Sequence, residues 1–71
     1  MSAEMIKIVM LKRKETQKGL AAKLGTSQGN LWNKFNRDNF SINELKEIAG
    51  ALDCELVLGF KMKDTGEIIN G

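Results

Sequence analysis

The amino-acid sequence predicts a mainly α-helical fold: four short helices in a bundle, followed by a C-terminal β-strand or hairpin. Three observations predict it. Apolar residues recur at helical spacing through most of residues 3–53. Thr16, Ser27 and Ser41 each stand just ahead of an apolar-periodic run, where a side-chain oxygen can cap a helix start. Beyond Asp53 the apolar period shortens to that of a strand, with alternate residues on opposite faces.

The first helix spans residues 3–14, with Ile6, Val9 and Met10 on one face, lysines opposite, and Ser2 as its cap. Thr16 caps the second, in which Leu20, Ala21 and Leu24 face inward and Gly25 ends the helix by adopting positive φ. Ser27 caps the third, whose inward residues are Leu31 and Phe35 and whose periodicity dissolves at residues 36–39. Ser41 and Glu44 form a capping box for the fourth, with Phe40 and Leu45 as a hydrophobic staple. That helix carries Ile42, Leu45, Ile48, Ala49 and Leu52 and ends near Asp53; Gly50 within it marks a close helix contact. Residues 56–62 form a strand in which Leu56, Leu58, Phe60 and Met62 share one face, residues 63–66 have turn chemistry, and residues 67–69 fold back. The chain therefore divides into a helical unit, 1–54, and a hairpin extension, 55–71.

Composition narrows the possible roles. Hydrophobic residues make up 42% and charged residues 28%, as in a globular domain rather than a disordered one. With no histidine and one cysteine, a single chain has the residues for neither a metal cluster nor a disulfide framework, and no cofactor is expected. Cys54 reads as a buried apolar thiol with nothing basic beside it in sequence. The apolar run near the start is short and broken by lysine, so neither a signal peptide nor a membrane span is expected, and the setting is the cytoplasm. A 71-residue domain buries a modest share of its surface, which favours pairing with another chain.

The charges are segregated. Residues 1–37 hold eight basic and two acidic residues, +6, and residues 38–71 hold three basic and seven acidic, −4. A polyanion is drawn to the first half and steered from the second.

Two short helices joined by a glycine-containing turn match the helix-turn-helix, whose second helix lies in the major groove of DNA. Leu20, Ala21, Leu24, Gly25 and Leu31 stand at the spacing that defines this motif. At these positions the chain resembles the lambda-repressor-like (Cro or XRE type) family, over roughly residues 4–53. The hairpin is an extension of the minimal family domain. Lys34 departs from the family pattern, which has an apolar residue there, and Asp53 stands where Gly or Asn is common.

The resemblance implies double-stranded DNA as the partner and assigns candidate contacts. Gln28 and Asn33 are the candidates for base readout, since an amide carries a donor and an acceptor and can pair with adenine on two edges. Gly29 is either an allowance for close approach of the groove wall or a tolerated residue near a helix start. Trp32 either contacts a thymine methyl or sugar or closes the rim of the small core. Gln17, Ser27, Lys34, Arg37 and, more weakly, Lys18 are candidates for phosphate contact. The apolar face of Leu56, Leu58, Phe60 and Met62 is the expected homodimer interface.

Catalysis is the least favoured class: there is no histidine, the carboxylates fall on solvated faces and no phosphate-cradling glycine loop is present. The leading expectation is a sequence-specific transcriptional regulator, a repressor of prokaryotic or phage type, binding a pseudo-palindromic operator as a dimer. No membrane and no small-molecule ligand is expected. The alternative is an antitoxin-type subunit that uses the hairpin to bind a partner protein.

Overall fold

In the computed structural model, which describes residues 2–70, the chain runs through α1 (Ser2–Arg13), α2 (Gln17–Leu24), α3 (Gln28–Arg37), α4 (Ile42–Ala51), β1 (Gly59–Lys61) and β2 (Ile68–Asn70). The mainly helical fold class and the C-terminal antiparallel hairpin are as the sequence predicts.

Three helix starts are made by the expected oxygens. Thr16 Oγ1 accepts from the Gly19 amide at 3.0 Å and Ser27 Oγ from the Asn30 amide at 3.1 Å. At α4 the capping box is complete: the Glu44 amide donates to Ser41 Oγ at 3.1 Å, and the Ser41 amide donates to Glu44 Oε1 at 2.9 Å. The start of α1 differs from expectation. Ser2 is already helical, and the Ala3 amide donates instead to Asp38 Oδ1 at 2.8 Å, so a carboxylate 35 residues away supplies the cap.

Each helix ends by turning into the left-handed region. Just past the four helices stand Lys14 at φ 55°, Gly25 at 70°, Asp38 at 50° and Asp53 at 56°. After α2, the Thr26 amide reaches the Ala21 carbonyl at 3.0 Å, the closure that satisfies the last carbonyls of a helix. Glu15 to Met10 at 2.9 Å and Cys54 to Ala49 at 2.8 Å repeat it after α1 and α4. A side chain in this region is disfavoured by about 1 kcal/mol or more, so Gly25 is the relaxed member and the other three carry strain.

The core is built round α2. Leu20 is completely buried and Ala21 nearly so, and they meet Ala3, Ile6 and Met10 of α1, Leu31 and Phe35 of α3, and Ile48 and Leu52 at α4. Phe40 and Leu45, the staple, pack against this cluster, and the Phe35 and Phe40 rings meet edge to face with centroids 5.8 Å apart. Two details correct the sequence reading. Gly50 has open space where a Cβ would stand, so it marks no helix contact. The side of α1 away from the core is not simply lysine: Met5, Ile8 and Leu11 are exposed there.

Strand pairing is shorter than residues 56–62. Phe60 faces Ile69, Gly59 faces Asn70 and Lys61 faces Ile68, and the Met62 amide closes the turn on the Glu67 carbonyl at 2.8 Å. Gly66 takes positive φ, 76°, in that turn. Every residue of both strands is exposed. The molecule measures 44 × 23 × 18 Å, with a radius of gyration of 13.9 Å. A compact chain of this length has about 11 Å, so the hairpin stands off from the bundle. Leu56 is half-buried where the chain leaves α4. Cys54 is half-buried too, and a basic group does lie beside it: Arg13 donates to its Sγ at 3.7 Å and to the Asp53 carbonyl at 2.9 Å. Among the described residues no helix is long and apolar enough to cross a membrane.

Candidate nucleic-acid interface

The candidate surface is the outer side of α3, set by a three-residue turn after α2. Gly25 reverses the chain, Ser27 restarts it with extended backbone at φ −83° and ψ 154°, and Leu31 and Phe35 are drawn into the core. Those two anchors fix the rotation of the helix. At about 100° per residue, Gly29, Asn33 and Arg37 then lie opposite the core, Asn36 and Asn30 at the two margins of that outward face, and Gln28 and Trp32 on one flank.

Trp32 is 54% exposed and is not a member of the core cluster. Together with Gln17, Gln28 and Gly29 it lines one shallow depression, which brings a residue from the start of α2 beside the start of α3. Asn33 and Arg37 are separate from that group. They border a cleft of about 470 Å³ between α3 and α4, with Asn30 on the same side and Glu44 and Glu47 across it.

The basic residues are not equivalent. Lys34 turns from the outer face toward α4 and ion-pairs with Glu44, which accounts for a lysine at a position where an apolar anchor is the commoner choice. Lys23 pairs with Glu15 at 2.6 Å. Among the described residues, Arg37 and Lys18 have no ion-pair partner, so their charge is available to an anion beside the amide face. Ser27 is exposed, but its Oγ already serves as the cap. Asn36 was not singled out from the sequence; its signal is a third amide, three residues beyond Asn33, on the same outward stripe.

The Lys34 ammonium, and after it the Ser41 amide, holds the Glu44 carboxyl down to about 2 from an ordinary 4.5. A folded-state value below the unfolded one means that the stabilisation is whole above the unfolded value and is lost as the pH falls through the folded one. Glu44→Gln, which keeps a cap acceptor, should therefore flatten the fall in stability between pH 4.5 and about 2. Urea midpoints across that interval check it, and parallel curves for the two proteins would contradict it.

Compared with known proteins, the chain matches no protein-family model, no curated protein and no solved structure.

Proposed function

We propose that this chain is a sequence-specific double-stranded DNA-binding transcriptional regulator, a repressor of the lambda-repressor-like helix-turn-helix class. In this reading it acts in the cytoplasm of a prokaryote or on behalf of a phage, as a homodimer, with α3 in the major groove. The single observation that carries the reading is the exposed amide face of α3. Gly29 lies within that face, and a Cβ there would meet nothing within 4 Å. Packing within the protein gives no reason for it. Close approach of a groove wall does, and the residues around it are those that suit a base edge: Gln28, Asn33 and Asn36, with the exposed face of Trp32 for a thymine methyl or sugar. Gln17, at the positive end of α2, and Arg37 and Lys18 take phosphates. Lys34 contributes to phosphate binding only by leaving Glu44, so its effect is smaller than that of Arg37. The acidic margin of Glu44 and Glu47 turns a duplex toward the α2 side of α3.

A selection from a random duplex pool followed by gel retardation at two salt concentrations tests the proposal. Affinity should fall steeply with salt. Gln28→Ala should relax discrimination between sites, by about 1–3 kcal/mol at one position, while Arg37→Ala weakens all duplexes alike. No binding to any duplex at low salt would overturn the reading.

A further inference from the structure

We propose that two copies of this chain exchange hairpins, each seating its hairpin on the outer face of the other's α1. This deepens the homodimer in the reading above and is independent of whether DNA is bound.

The argument begins on α1. Ala3, Ile6 and Met10 face the core, yet Met5, Ile8 and Leu11 on the other side are 53%, 54% and 79% exposed. Three large apolar side chains thus stand in solvent among Glu4 and Lys12 on the side of α1 away from the core, a second apolar stripe that nothing in this chain covers. The hairpin has the matching deficiency. Phe60, 80% exposed, and its cross-strand partner Ile69 share one face with Leu58 and Met62, and Ile68 shows on the other. An isolated two-stranded hairpin is marginal in water, and this one has no helix beneath it.

The shape says why a second copy is the occupant. Arg13 fixes Asp53 and Cys54 at the end of α1, and the chain then runs outward, so the long axis reaches 44 Å and the hairpin leaves its own α1 uncovered. Charge points the same way. Residues 2–14 carry four basic and one acidic residue, +3, whereas residues 55–70 carry two basic and three acidic, −1. Hairpin on α1 joins unlike charges, while α1 on α1 would join like ones. The exposed apolar side chains of the two surfaces amount to something on the order of 800 Å² per copy, the share of a standard-size interface. A reciprocal exchange about a two-fold axis uses both surfaces on both copies and closes, leaving no apolar edge for a third.

Sedimentation equilibrium of the full chain, without DNA, tests this with two variants at exposed positions, Leu11→Lys and Phe60→Lys. The wild-type protein should be a dimer, and each variant should associate about 30-fold or more weakly with unchanged helical circular dichroism. A second measurement mixes Ile8→Cys and Phe60→Cys chains, both also Cys54→Ser, with a short bis-maleimide. Cross-linking between the two kinds of chain supports the exchange. A monomeric wild-type chain, with or without a different protein bound to its hairpin, would overturn it. So would a dimer indifferent to Leu11→Lys, because that places hairpin against hairpin. Both variants leave Gln28 and Arg37 untouched, so retention of DNA binding by a monomer separates failure here from failure of the DNA reading.

Discussion

Gly29→Ala should make the protein more stable and bind duplex DNA at least tenfold more weakly, whereas Gly50→Ala should raise stability alone. Both glycines are in helices and neither has anything within 4 Å of an added Cβ, so the two substitutions are chemically the same experiment. Each exchanges the poorest ordinary helix former for the best, a gain of about 1 kcal/mol in a helix interior and less in a first turn, where Gly29 stands. For a domain of this size 1 kcal/mol moves the thermal midpoint by roughly 4–8 °C. The difference lies in where the methyl group goes. At Gly50 it enters solvent on α4; at Gly29 it stands beside Gln28 on the outward face of α3, where the proposed DNA contact brings a groove wall close. A loss of about 1.4 kcal/mol in binding is tenfold in affinity. Thermal unfolding and gel retardation on the same preparations read both quantities. Equal DNA affinity for Gly29→Ala and wild type would rule out close approach of a groove wall at Gly29.

Leu20→Ala should have the largest effect on folding, about 2–5 kcal/mol. Leu20 has no exposed surface, and α2 packs on both α3 and α4, so the cavity left behind has walls from several helices and cannot collapse onto one. A domain of this length holds about 4–10 kcal/mol in all, so one side chain carries from about a fifth of its stability to the whole of it. Urea unfolding followed by helical circular dichroism gives the value. A loss below about 1 kcal/mol would mean that the bundle is not centred on Leu20.

Helix starts proved far more legible in the sequence than helix ends. A cap at a start is a local object: Thr16, Ser27 and Ser41 each bond an amide three residues on, and a chain segment suffices to show it. The left-handed residue at an end is chosen by where the next helix must lie. Gly25 and Asp53 were anticipated as such residues, while Lys14 and Asp38 look like any polar surface residue until packing turns the backbone. The same distinction runs through the candidate site. Gln28 and Asn33 were readable as outward because Leu31 and Phe35 set the helical phase. The pairing of Lys34 with Glu44 joins two different helices, and the place of Trp32 depended on how α2 lies beside α3. The exposed stripe of Met5, Ile8 and Leu11 was hidden by the lysines interleaved with it, and only the burial of the opposite side separates the two faces of α1.

The connections between helices have a consequence in time. They are three, three and four residues long, residues 14–16, 25–27 and 38–41, so successive helices meet after closing very short loops. Chains of this kind, with low mean separation between contacting residues, fold in microseconds to milliseconds. The proposed exchange of hairpins between copies, in contrast, waits on diffusion and is second order in protein. Refolding should thus show a fast helical phase that is blind to dilution and a slower one that lengthens as the protein is diluted. At low abundance in a cell, the interval between those phases, rather than the folding of the bundle, would set how soon a newly made chain forms the proposed dimer.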